Sequence, residues 1–418
     1  MADIAWSRWL RPGDHLVCSH MSAEPAALLA SLAACADLPQ PLYLMLGVPF
    51  TMAAAGLPAG CELTTYGGMG SAGAIAQRRP VRLSPLPYGR AEAVYESGAW
   101  RCDVALVALA RAPDGRLFLA PSHGAVLAAA RRARHVIAQV SPAMPCIAGA
   151  EWPEDLAIAA LLETDATPPA LEEPAPGETE QRIAGHLSAL VPDGACLQVG
   201  IGSLPSAVLA ALGSHRRLGI HTGMLTDALW RLVTAGAADH SRKGRDAGIA
   251  VTGAVCGTAA HYAALDGHAG VALRPPGYTH DPRVIAAQPD MFCLNSALEV
   301  DLLGNINAEA IALPDGRWRF VGGVGGLPDF VRAAVLAPRG QAVVALGSRT
   351  PRGQSRIVAR LSGPCTIAAS DADIVATEHG VARLRETSLD ERVRRMLAIA
   401  HPEDRDALAA QARGLGLL

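Results

Sequence analysis

Aromatic residues are scarce in this chain. Five Phe, six Trp and six Tyr make up 4% of 418 residues, so the core must be built mainly from Ala, Leu and Val. Charge is sparse and balanced as well. Charged residues are 18% of the chain and the formal net charge is −3. No basic excess is present to drive binding to nucleic acid or an anionic membrane surface. Cys18, Cys35, Cys61, Cys102, Cys146, Cys196, Cys256, Cys293 and Cys365 are odd in number and irregularly spaced, with no C-x-x-C pair. That pattern indicates neither a disulfide framework nor a zinc site. The first residues lack a basic region followed by an apolar run, and every apolar stretch is broken well short of a membrane span. The expectation is a cytoplasmic protein with no metal or nucleotide redox cofactor.

Half of the residues are hydrophobic, and they recur as short strand-like runs alternating with helix-like segments. His15–Cys18, 41–46, 61–66, 104–108 and 135–140 read as strands. Helices are expected after Pro25, a tolerated first-turn position, and over 125–134. The repeated β, α order predicts a mostly parallel sheet flanked by helices. Gly68 to Gly73 matches G-x-G-x-x-G, but no acidic residue follows a second strand at the required distance. It is read as a surface loop. The stretch TDATPPALEEPAPGE, from Thr164 to Glu178, is rich in Pro and acid and has no apolar period. It is read as an interdomain linker, with the boundary set at 166–179 between domains over 1–165 and 180–418.

The second half carries the densest chemistry. A helix is expected over 180–190, then strands at 195–199, 249–255, 291–295, 342–345, 366–369 and 374–376. An apolar strand runs into Gly200-Ile201-Gly202-Ser203-Leu204-Pro205, whose bare backbone N–H groups can approach a ligand closely. A second strand is expected to end at His221-Thr222-Gly223. Strand ends side by side in an α/β sheet are where such folds place chemistry. Val324 to Phe330 is another glycine loop opening a helix.

Several segments, taken in order, resemble the acetyl-CoA hydrolase/transferase family. They are Leu197 to Pro205, Leu218 to Thr222, Asn295 to Leu302 with Gly304 to Glu309, Gly322 to Gly326 before Asp329 to Arg332, and Thr377 to Ala382. The first half matches more loosely, at Ala23-Glu24-Pro25, 103–109 and 137–140. The resemblance implies two similar CoA-transferase-type α/β domains, an acyl-CoA substrate with coenzyme A as part of it, and a homodimer or higher homo-oligomer, a further protein partner remaining open.

Transfer of CoA between carboxylates requires a carboxylate nucleophile that carries CoA as a thioester, and N–H donors for the oxyanion. Gly200, Gly202, Gly325 and Gly326 are the candidate oxyanion and CoA-loop residues. In the family the catalytic glutamate follows the His-Thr pair; here that position is Gly223, which cannot form a thioester. Three readings follow: other chemistry on a CoA thioester (decarboxylation, hydrolysis or carbon–carbon bond chemistry), transfer or hydrolysis through a substitute nucleophile, or a non-catalytic acyl-CoA-binding subunit. Substitute candidates are Cys256, His221, Asp227 and Glu299. Each has a structural alternative: packing for Cys256, a strand-end hydrogen bond for His221, orientation of a loop for Glu299. Met224 and Tyr278 are candidates for the acyl pocket.

Overall fold

The computed structural model describes residues 4–418; Met1, Ala2 and Asp3, the start of the segment read above for targeting signals, lie outside them. Residue contacts divide the chain into two compact units. The first comprises the chain through Glu172 with Gly223–Asp227 and Val251–Thr279, and the second comprises Glu173–Thr222, Ala228–Ala250 and His280–Leu418.

The first unit is built on β1 (His15–Cys18), β2 (Leu42–Gly47), β3 (Cys61–Thr65), β4 (Val81–Leu83), β5 (Val104–Arg111), β6 (Leu117–Leu119), β7 (His135–Ser141) and β8 (Ala160–Glu163). They form one sheet in the order β4-β3-β2-β1-β5-β7-β8, parallel apart from β6, which pairs antiparallel with β5. The central strand β5 is apolar along almost its whole length and buried on both faces, as parallel strands under helices require. Leu16, Leu28, Leu29, Leu32, Leu44 and Leu63 form the core on one side. The sequence missed β4, β6 and β8, which at three or four residues each show no period distinct from their flanks. The 125–134 helix forms only over Val126–Ala130. The stretch expected as a surface loop over Gly68–Gly73 gives way to a short helix, Ala72–Ala76; before it, Gly70 has φ +60°, and a Cβ built there would lie 2.1 Å from the Pro49 carbonyl oxygen. Close backbone packing accounts for this glycine. From Thr164 to Gly177 the chain has no helix or strand. Leu171 N–H nevertheless donates to the Gly257 carbonyl and Tyr262 Oη to the Pro169 carbonyl, fastening the stretch to the first unit.

The remaining strands are β9 (Cys196–Val199), β10 (Gly219–Leu225), β11 (Ala250–Val255), β12 (Val271–Leu273), β13 (Met291–Ser296), β14 (Glu299–Asp301), β15 (Ile306–Asn307), β16 (Ala310–Ala312), β17 (Trp318–Phe320), β18 (Gln341–Ala345), β19 (Ile357–Val358), β20 (Ile374–Thr377) and β21 (Gly380–Arg383). A second eight-stranded sheet has the order β12-β11-β10-β9-β13-β18-β20-β21. Small sheets β15-β14-β19 and β16-β17 complete the set. The fold is therefore α/β, with two mostly parallel sheets flanked by helices.

Two strand expectations need correction. β10 does not end at Gly223 but continues to Leu225. No strand forms over 366–369: the N–H groups of Thr366 and Ile367 both donate to the Ile306 carbonyl, and Ala369 N–H donates to Asn305 Oδ1. Ile306 lies on β15, and its own N–H returns a bond to the Ile367 carbonyl at 2.9 Å, so the segment makes one isolated antiparallel bridge rather than a continuous ladder.

The chain contains a single lysine, Lys243, among 36 basic residues. It is buried, and its Nζ donates to the carbonyls of Ile220 (3.0 Å) and Ile249 (2.7 Å). No helix among the described residues is long and apolar enough to cross a membrane.

Candidate active site

In the second unit, β9 runs into the Gly200 turn and then the helix Ser203–Ala211. Gly200 donates its N–H to the Leu294 carbonyl at 2.9 Å, so that donor is used within the fold. Gly202 has φ +122°, a conformation that favours glycine. The helix begins its backbone bonding with Ser206 N–H to the Gly202 carbonyl, 3.1 Å. The N–H groups of Gly202, Ser203 and Leu204 precede that bond and point outward from the helix start, while Pro205 has none. The loop can therefore offer donors, displaced toward Gly202 from the expected Gly200. Its base is fixed by a reciprocal amide pair: Gln198 Nε2 donates to Asn295 Oδ1 (3.1 Å) and Asn295 Nδ2 to Gln198 Oε1 (3.0 Å).

The second glycine loop opens the helix Leu327–Ala334, with Gly326 at its cap and Gly325 at φ +52°. A Cβ built on Gly326 would lie 2.4 Å from His280 Nε2. The loop is thus closed against a buried imidazole, which also meets the Phe330 ring at 4.7 Å. Burial, assisted by the neighbouring His221, drives His280 down to about 3, so it is neutral at ordinary pH. His221 itself is fully enclosed. The loop's start is pinned where Val321 and Gly322 N–H both donate to the Glu309 carbonyl, each at 2.9 Å.

Glu299, on β14, is held in a cage of donors. Oε1 accepts from Ser362 N–H (2.8 Å), Gly363 N–H (2.9 Å) and Asn307 Nδ2 (3.0 Å), and Oε2 accepts from Ser362 Oγ (2.8 Å). This is the arrangement of a carboxylate that orders a loop.

In the first unit, Gly223 and Met224 are half-buried on β10. Beside them Gly253 on β11 is also bare: a Cβ there would come within 3.0 Å of the Gly223 carbonyl oxygen and 3.5 Å of Thr279 Oγ1. Asp227 spans Thr258, accepting from its N–H (2.9 Å) and its Oγ1 (2.8 Å). Gly257 leaves room for that carboxylate, since a Cβ there would lie 2.1 Å from Asp227 Oδ2. Cys256 is fully buried, 3.8 Å from Ser22 Oγ, and burial pushes its thiol up to about 12. It is protonated at neutral pH and so lacks the thiolate that nucleophilic attack requires. Tyr278 sits half-buried in the short turn Pro276–Thr279.

Sequence reading missed His20, Tyr88 and Glu92. His20 follows the C-terminal end of β1, is buried, and is held by burial down to about 4. Val48 N–H faces its Nδ1 at 3.4 Å, which puts the ring proton on Nε2, 2.9 Å from Tyr88 Oη. Glycines at 47 and 124 make room for the ring, a Cβ at either meeting it within 2.8 Å. Glu92 Oε2 accepts from Gly277 N–H at 2.7 Å, and burial pushes the carboxyl up to about 7. The signal available was position alone, a histidine immediately past a parallel strand. Among the described residues no group of three or more His, Cys, Asp and Glu is placed to hold a metal ion.

Residues 257–412 match the model of the acetyl-CoA hydrolase/transferase C-terminal domain. Over 311 residues the chain is 34% identical to 4-hydroxybutyrate coenzyme A transferase of Clostridium kluyveri, spanning 73% of this chain and 71% of that one. The chain belongs to the acetyl-CoA hydrolase/transferase family. It is an enzyme of that superfamily, whose members take coenzyme A thioesters as substrates. The fold agrees. RipA from Yersinia pestis superposes with a TM-score of 0.90 at 28% identity, covering 98% of this chain and 96% of that one. The 4-hydroxybutyrate CoA-transferase of Porphyromonas gingivalis gives 0.81 at 27% identity, with coverage of 98% and 95%.

Proposed function

We propose that this enzyme acts on acyl-CoA thioesters without forming a glutamyl thioester, and that its reaction is hydrolysis. The observation that carries the reading is Gly223, which stands where the family resemblance puts the nucleophilic glutamate. Three candidates in its own unit are otherwise occupied: Asp227 is engaged by Thr258, Glu24 by Phe50 and Thr51, and Cys256 is a buried thiol. Water then adds to the thioester carbonyl and gives up a proton. The C–S bond breaks, and sulfur leaves as a thiolate that takes up a proton. The carboxylate and free CoA are the products. The N–H donors near Gly202 and the Gly325–Gly326 loop are assigned to the developing oxyanion, where one well-placed donor contributes about 3–4 kcal/mol. Met224 and Tyr278 are assigned to the acyl pocket, His221 to support beside His280, and Glu299 and Cys256 to structure.

The test is product analysis with acetyl-, butyryl-, 4-hydroxybutyryl- and succinyl-CoA, with and without free acetate, in the wild type and Gly223→Glu. The wild type should release free acid and CoA. Gly223→Glu should gain CoA exchange onto acetate through a protein adduct of CoA mass. Exchange onto acetate by the wild type would sink the proposal and favour a substitute nucleophile. Loss of the carboxyl carbon or a new C–C product would replace hydrolysis with that chemistry, and binding without turnover would leave a binding subunit.

A further inference from the structure

Trp318 is half exposed, at 50% of its surface, in a protein with few aromatic residues. It lies on β17 of the two-stranded ribbon β16–β17. A two-stranded ribbon has little apolar cover of its own to give so large a ring. Yet it is not loose. Its Nε1–H donates to the Ser362 carbonyl at 3.0 Å. Ser362 and Gly363 are in turn held by buried Glu299 through the bonds described above. Across the ribbon Trp318 faces Ala312, and Phe320 faces Ala310. Alanine opposite the indole cannot cover a ring of that size. The result is a rigid, open aromatic face.

An uncompensated cation lies close in sequence to the indole's anchor. Arg360 lies two residues before Ser362, is exposed, and has no ion-pair partner among the described residues; Arg319 follows Trp318 directly and so projects to the opposite face of the ribbon. Arg317, by contrast, is tied to Asp315 at 2.7 Å. β17 then runs straight into the Gly322–Gly326 loop. Gly322 is four positions beyond Trp318, at most about 13 Å at 3.3 Å per residue.

We infer that Trp318 is the stacking platform for the adenine of the CoA thioester, with Arg360 facing its phosphates. A planar ring fixed by its own N–H, anchored two residues from an unpaired arginine, suits a purine nucleotide. The glycine loop lies further along the same ribbon, in the direction in which the pantetheine arm must extend. The inference rests on the acyl-CoA reading above.

The test is calorimetric binding of CoA and of a non-hydrolysable acyl-pantetheine analogue, which has the arm but no nucleotide. Trp318→Ala should weaken CoA by roughly 5- to 150-fold, the range for one base–aromatic stack. Trp318→Phe should recover most of that loss, and the pantetheine analogue should bind both variants like the wild type. Arg360→Gln should lower the salt dependence of CoA binding. Unchanged CoA affinity in Trp318→Ala, or an equal loss for CoA and the analogue, overturns the platform. So does a drop in oligomeric mass on Trp318→Ala, which would assign the indole to a second copy of the chain. Binding of neither compound by the wild type overturns the acyl-CoA reading itself, and the platform with it.

Discussion

Removing the Glu299 carboxylate should destabilise the second unit without abolishing chemistry. The side chain is 9% exposed and accepts four hydrogen bonds. In Glu299→Ala, Asn307 keeps a second bond from Nδ2 to the Ala310 carbonyl, 2.7 Å. Ser362 is exposed and its hydroxyl can turn to water. The N–H groups of Ser362 and Gly363 bear most of the loss. At about 1–3 kcal/mol for each donor left unmet, with partial hydration of Ser362, the cost is about 2–4 kcal/mol. That is a large share of a typical stability of 5–15 kcal/mol. Glu299→Gln keeps the shape and an oxygen for the three Oε1 donors, losing only charge assistance, about 1 kcal/mol. Urea unfolding by circular dichroism should order the midpoints Glu, then Gln, then Ala. Thioester cleavage by the Gln variant should stay within a few-fold of wild type with an unchanged pH profile. A general base lost at this position would instead lower turnover by 10² or more. A Gln variant of native stability with turnover down 100-fold and an altered pH profile would refute the structural assignment.

Acid should unfold the protein early. His20 and His240 are held at about 4 and His280 at about 3, each by burial, against 6.5 unfolded. These depressed values mean that the unfolded chain binds more protons below pH 6.5. Stability therefore falls as pH drops from 6.5 toward 4, by roughly 3 kcal/mol for each fully buried imidazole. Urea midpoints at pH 7.5 and 5 should differ accordingly, and His280→Leu should flatten the slope; a flat wild-type profile would contradict it. Gly326→Ala should push His280 off its seat, since the new Cβ falls 2.4 Å from Nε2. The expected cost is about 1–3 kcal/mol of overpacking together with reduced turnover, measured by thermal unfolding and thioester cleavage; native values for both would show that the loop yields freely.

Much of this fold can be read from local pattern. Apolar runs such as Val104–Leu109, and Val136–Val140 interrupted only by Gln139, identify buried parallel strands because both faces are covered. β8 and the small sheets around Glu299 escape, because they are two to four residues long and depend on partners distant in the chain. The continuation of β10 through Gly223 escapes for another reason. Glycine has poor strand propensity, and only the neighbouring ladder keeps it extended. The glycine loops were legible as motifs, but which amides they leave open was not: Gly200 looks like a donor until Leu294 is seen to accept its N–H. His20 and Tyr88 are 68 residues apart, a pairing that no spacing argument could supply.

The lone lysine has a chemical consequence. Thioesters acylate free amines without any catalyst, and the accessible ε-amino groups of a protein that handles them are the first casualties. Here the basic surface is all guanidinium, which does not react this way. The one ε-amine is sealed under two carbonyls, and burial holds its pKa below the ordinary lysine value. The folded protein therefore offers acyl-CoA no exposed ε-amine among its described residues. Acylation of Lys243 by acyl-CoA would mark molecules that have unfolded.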